Sequence, residues 1–124
     1  MANAINWFEI PATNFDRAVN FYSAVLGSPM QHIGEMEGNK MAFFPVQGDE
    51  AVGGAVVAGE GYTPTPNGAL IYLNGGDDLG IPLGRVATSG GSVVLPKTKI
   101  SDEIGYMGIF IDTEGNKVAF HSRG

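Results

Sequence analysis

Asp112-Thr113-Glu114-Gly115-Asn116, with an apolar run at 106–111 before it and another at 117–122 after it, is the stretch on which the reading of this chain turns. Gly and Asn tolerate the positive φ of a tight turn, so alternating runs on both sides predict a strand, a hairpin and a second strand. The second of these carries His121, one of only two histidines. The hairpin therefore also places the strongest candidate for proton chemistry.

Upstream, residues 5–10 are apolar on both faces, as in a strand covered on each side. Thr13 offers an N-cap with Asp16 three positions on. Phe15, Ala18, Val19, Tyr22, Val25 and Leu26 then recur at helical spacing, and Gly27 closes the run where a left-handed cap is wanted. Strands are predicted at 30–35, 41–46 and 52–57, divided by turns at 37–39 and 47–50. Residues 59–68 are dense in Gly and Pro and read as a connector. After it the order begins again: a strand at 69–73, a helical segment near 78–88 with Leu79, Leu83 and Val86 on its apolar face, then strands at 92–95, 106–111 and 117–121. The two halves share one plan, strand, helix and three strands, which predicts an α+β fold of two pseudo-symmetric modules in one domain, residues 1–124. Module one spans about 4–58 and module two about 69–122.

The chain has 124 residues, 44% hydrophobic and 16% charged, enough for one core burying roughly two-thirds of its unfolded surface. It has no cysteine, which excludes thiol nucleophiles, Cys-based zinc sites and disulfides. The net charge is −6, with seven scattered Lys and Arg residues, so the cationic patch that nucleic acid requires is missing. Acidity of this size is foremost a solvated surface, and secondarily an attraction for a cationic ligand. Met-Ala-Asn-Ala-Ile-Asn at the start lacks the basic and apolar segments of a signal peptide, and no apolar run reaches spanning length. The expectation is a cytoplasmic protein without membrane contact.

Trp7-Phe-Glu-Ile-Pro-Ala-Thr-Asn-Phe-Asp-Arg-Ala-Val-Asn-Phe-Tyr22 with Val25-Leu26-Gly27 resembles the opening of the glyoxalase/bleomycin-resistance/dioxygenase (vicinal oxygen chelate) superfamily. Ile71-Tyr-Leu-Asn74, Leu95-Pro-Lys-Thr98, Gly105-Tyr106, Asp112-Thr-Glu-Gly-Asn116 and His121-Ser122 continue the resemblance. It implies two βαβββ modules whose curved sheets form an open cup, usually within a homodimer, and a small-molecule ligand. Metal-using members place four His, Glu or Gln side chains in that cup. The corresponding positions here are Trp7, Gly54, Ala69 or a neighbour, and Ala119, none of which coordinates a divalent cation. The resemblance therefore implies no metal and no other cofactor, and argues against metal-dependent glyoxalase I or extradiol dioxygenase activity.

Period two then puts Glu9 beside Trp7 and His121 beside Ala119, both facing the cup. A carboxylate near an imidazole makes a general acid/base couple, so Glu9 and His121 are the candidate catalytic pair of a metal-independent lyase or isomerase. They equally satisfy each other as a structural pair in a polar cleft. Trp7, Tyr106, Ile71 and Gly54 are the candidate substrate-lining residues. The alternative is a non-catalytic protein that sequesters a small molecule, as bleomycin-resistance relatives do. His32 reads as an edge residue, Tyr22 and Phe120 as core, Lys97 and Lys99 as solvated loop residues, and Met30, Met36, Met41 and Met107 as adaptable packing. Gly53-Gly54 lacks the Lys-Ser/Thr and following helix of a phosphate loop.

Overall fold

A computed structural model describes residues 3–124, apart from the side chain of His32, which lies outside the described residues together with the edge role expected of it. Strands β1 (Trp7–Pro11), β2 (Gln31–Met36), β3 (Asn39–Phe43) and β4 (Gly53–Ala58) form one sheet, in the order β1-β4-β3-β2. Strands β5 (Ile71–Asn74), β6 (Ser92–Ser101), β7 (Gly105–Ile111) and β8 (Lys117–Ser122) form the second, in the order β5-β8-β7-β6. In each sheet the first strand pairs in parallel with the last and the rest are antiparallel. The duplicated βαβββ plan is thus present, with both sheets open.

Helix α1 (Phe15–Leu26) starts at Asn14, whose Oδ1 accepts from the Arg17 N–H at 3.1 Å. The cap is one residue later than Thr13, and the N–H groups of both Thr13 and Asn14 donate to the Glu114 carboxylate, at 2.9 and 2.7 Å. Gly27, at φ 68°, ends the helix as expected. Phe21 is buried beside Tyr22. The buried stripe is wider than one module needs because α1 packs against both: Tyr22 meets Phe44 of the first half at 5.1 Å and Phe110 of the second at 6.4 Å. One hydrophobic core, from Ile10 to Phe120, accordingly spans the two modules.

The second helical segment is shorter than predicted. Only Gly80–Leu83 (α2) is α-helical, followed by a 3-10 turn at Ala87–Ser89. Gly80, Pro82 and Gly84 within a few residues deny it a longer run, yet Leu79, Leu83 and Val86 are buried as their spacing predicts. Strand β6 is longer than predicted and contains Pro96, Lys97 and Lys99, which are therefore strand and not loop residues. An edge strand tolerates proline because one side of its backbone has no ladder to complete.

The Asp112–Asn116 turn closes through Asp112 N–H to Asn116 O at 3.0 Å, with Gly115 at φ 96°. Asn116 contributes hydrogen bonds and not a positive φ. Its Nδ2 donates to Pro11 O at 2.7 Å and to Asp112 Oδ2 at 3.0 Å, and its Oδ1 accepts from Thr65 N. The buried Tyr22 hydroxyl donates to Asp112 Oδ2 at 2.7 Å. Glu114 accepts from Thr13 N, Asn14 N and Arg17 Nε. The last hairpin thereby grips the first helix at its start and its middle.

Candidate functional site

Phe8 and Ile10 pack into the core, so Trp7 and Glu9 occupy the other face of β1. The parallel register sets Trp7 opposite Gly53 and Glu9 opposite Ala55, both small, so nothing on β4 crowds the indole or the carboxylate. A Cβ on Gly53 would already stand 3.6 Å from the Trp7 ring. Trp7 meets Phe43 of β3 edge-on, with ring centroids 5.1 Å apart at 77°. Its Nε1–H donates to Glu9 Oε2 at 3.4 Å, and the Tyr62 hydroxyl donates to Glu9 Oε1 at 2.9 Å. That bond, with the carboxylate's charge, raises the Tyr62 pKa above the ordinary phenol value. Phe43 also borders a hollow of about 320 Å³ with Gly34, Glu35, Met36 and Met41. The first sheet thus presents aromatic and thioether walls with carboxylates beside them.

On β8, Val118 and Phe120 face the core, and Ala119 and His121 take the other face. Tyr72 lies opposite Ala119, and Asn74 and Met107 lie opposite His121. A hydrogen bond of 2.7 Å joins His121 Nε2 to the Ile104 carbonyl. A carbonyl only accepts, so Nε2 is the donor in this bond. His121 opens onto a hollow of about 650 Å³, shared with Tyr72, Asn74, Ile100, Ile104 and Arg123.

Glu9 and His121 do not form a couple within the chain. They stand in different sheets, Glu9 bonded to Tyr62 and Trp7, His121 to Ile104. Glu9 borders a separate hollow of about 160 Å³ with Pro11, Ala69, Ile71 and Lys117. Period two bears on the face a strand residue takes and carries no information on how far apart two strands end up. Gly54 and Tyr106 lie on the core side of their sheets. Gly54 is opposite Phe8, whose ring fills the place its side chain would occupy, and Tyr106 packs against the core beneath Lys97, whose Nζ is 4.7 Å from its ring centre. Ile71 is half-buried against the core and lines two hollows, the one beside Glu9 and another of about 530 Å³ bordered by Phe8, Phe44 and Tyr72.

Tyr62, Phe43, Tyr72 and Arg123 join these sites without having been singled out. Tyr72 was within reach of the alternation on β5. Tyr62 was not, since an aperiodic connector says nothing of where it folds.

The residues present do not fit a divalent cation. The positions that correspond to metal ligands in the superfamily hold Trp7, Gly54, Ala69 and Ala119, which offer no ligand atom, and Glu9 and His121, which share the faces of Trp7 and Ala119, stand in different sheets. Among the described residues no three His, Cys, Asp or Glu side chains converge. Among them, too, no helix is long and apolar enough to cross a membrane.

The family model described as "Glyoxalase/Bleomycin resistance protein/Dioxygenase superfamily" matches residues 4–120. A "Glyoxylase-like domain-containing protein" of Didymella fabae is 33% identical over 121 residues, 96% of this chain and 93% of that protein. Among solved structures, a hypothetical protein from S. aureus superposes with a TM-score of 0.67 at 22% identity, covering 98% of each chain. Glyoxalase I from Zea mays gives 0.69 at 16% identity, over 97% of this chain and 44% of the maize chain. A glyoxalase/bleomycin resistance protein from Albidiferax ferrireducens gives 0.67 at 14% identity, over 98% and 100%. At these identities the structures show a shared fold, and the family match extends the statement to descent: the chain belongs to the glyoxalase/bleomycin resistance protein/dioxygenase superfamily.

Proposed function

We propose that this glyoxalase-like chain binds a small cationic molecule with a flat or apolar body against Trp7 and Phe43, with Glu9 as counter-charge. The observation that carries this is the cluster itself, an indole edge-on to a phenyl ring with a carboxylate held beside it by Tyr62. Aromatic faces attract cations, and a positioned carboxylate adds to that attraction. Glu35, Met36 and Met41 extend the same surface. A lyase or isomerase reaction shared by Glu9 and His121 draws less support, because the two open onto different hollows.

The proposed assembly is a homodimer. Trp7 is 41% and Tyr72 48% exposed on the sheet faces that bear the two hollows, an exposure that a second copy would reduce. Light scattering should then give twice the monomer mass, and a strictly monomeric mass at high micromolar concentration would end that part of the proposal.

Trp7 is the sole tryptophan, so its fluorescence reports on this cluster alone. Titration with benzyltrimethylammonium should change it saturably, benzyl alcohol should act far more weakly, and Glu9→Gln should weaken the cation roughly tenfold. Equal responses to the charged and uncharged probes would refute the reading.

A further inference from the structure

The hollow around His121 has a different chemistry. Its lining contains one permanent cation, Arg123, and one imidazole, His121, but no Asp or Glu, in a chain where acidic residues outnumber Lys and Arg by thirteen to seven. Ile100 and Ile104, 42% and 52% exposed, supply apolar walls, and Tyr72 adds a ring. At about 650 Å³ the space lies within the range that holds drug-sized ligands. Both polar groups are positioned by backbone. His121 is held by the Ile104 carbonyl at 2.7 Å, and Arg123 donates one N–H to the Glu103 carbonyl at 3.3 Å. Each is a bond to a neutral oxygen, so the guanidinium charge is not cancelled, and its remaining N–H groups are left for another acceptor. Of the acidic residues close in sequence to lining positions, Asp77 beside Gly76 and Asp102 and Glu103 on the β6–β7 turn are exposed, none of them is part of the lining, and Asp102 is paired with Lys99.

We infer that this hollow is a second binding site, for a small carboxylate with an apolar body, its anionic end on Arg123 and its body between Tyr72, Ile100 and Ile104. His121 closes one side. The site stands apart from the Trp7 cluster and does not depend on a cation binding there.

Benzoate is the probe, with benzamide as its uncharged counterpart, and binding is followed by NMR shifts of labelled protein. Benzoate should shift resonances of Tyr72, Ile104 and His121, benzamide should bind at least fivefold more weakly, and Arg123→Gln should weaken benzoate about tenfold. The same variant should leave the benzyltrimethylammonium response of Trp7 unchanged, which separates failure here from failure of the cation site. Shifts scattered over other surfaces, equal binding of benzamide, or indifference to Arg123→Gln would each overturn the inference.

Discussion

Replacing Tyr22 with phenylalanine removes one oxygen from a fully buried side chain and leaves its ring contacts with Phe21, Phe44 and Phe110 intact. What is lost is the 2.7 Å hydrogen bond to Asp112 Oδ2. Bonds to charged groups contribute about 1.5–3 kcal/mol, and no sizeable cavity adds to that here. Taking about 2.1 cal/mol/K of unfolding entropy per residue, the 124-residue chain has roughly 0.26 kcal/mol/K, so the melting temperature should fall by about 6–11 °C. Asp112 keeps its bonds from Asn116 and the Glu114 N–H, which argues for the lower half of that span. Tyr62→Phe, which removes a bond to Glu9, is the control and should lower the melting temperature much less. Calorimetry and urea unfolding measure both. A second readout comes from alkali. Burial, then the Asp112 charge and hydrogen bond, push the Tyr22 pKa well up, so this residue's contribution is full below the unfolded phenol value of about 10 and is lost as pH rises beyond it. The wild-type advantage over Tyr22→Phe should shrink there. A melting temperature within about 2 °C of wild type would refute the idea that this bond ties the modules together.

Glu114 carries an acid prediction. Burial works to raise its pKa, but hydrogen bonds from Arg17, Asn14 and Thr113 outweigh it and the net shift is downward. Its contribution is therefore present above the ordinary carboxylate value near 4.3 and is lost as pH falls through the depressed one. The urea midpoint gap between wild type and Glu114→Gln should narrow as pH falls below the ordinary carboxylate range, and a gap that stays constant there contradicts the charge argument. Arg17→Ala should cost less than Glu114→Ala at neutral pH. The Arg17 side chain is 51% exposed while that of Glu114 is 0% exposed, so removing the carboxylate also orphans the N–H groups of Thr13 and Asn14. Gly105→Ala should destabilise by about 2 kcal/mol or more, since φ is 105° and the added methyl would strike the Ser122 carbonyl. Chemical denaturation ranks all three.

Repetition of one element order was enough to read the fold, because strand, helix and turn signals are local and their recurrence is visible without knowing distances. Helix α1 with Gly27 and the Gly115 turn were both evident on that basis. The later helix was over-read, since the apolar spacing of Leu79, Leu83 and Val86 survives in a broken segment as well as in a regular one. For the site, alternation separates Trp7, Glu9 and His121 from their core-packing neighbours Phe8, Ile10 and Phe120. Gly54, taken from the resemblance, and Tyr106 lie on the core side of their sheets, which register with neighbouring strands decides, a property set by pairing partners far away in sequence. The partners of Glu9 and His121 come from a connector and a turn, Tyr62 and Ile104, whose positions follow only from the completed fold.

The bonds from Glu114 to Thr13 and Asn14 join residues separated by 101 and 100 positions. During synthesis the first helix therefore leaves the ribosome with its leading amides and the Tyr22 hydroxyl lacking the acceptors they have in the finished protein, until the closing hairpin follows. That interval lasts while the roughly hundred residues between the helix start and Glu114 are made, and during it the helix is open to chaperones and proteases.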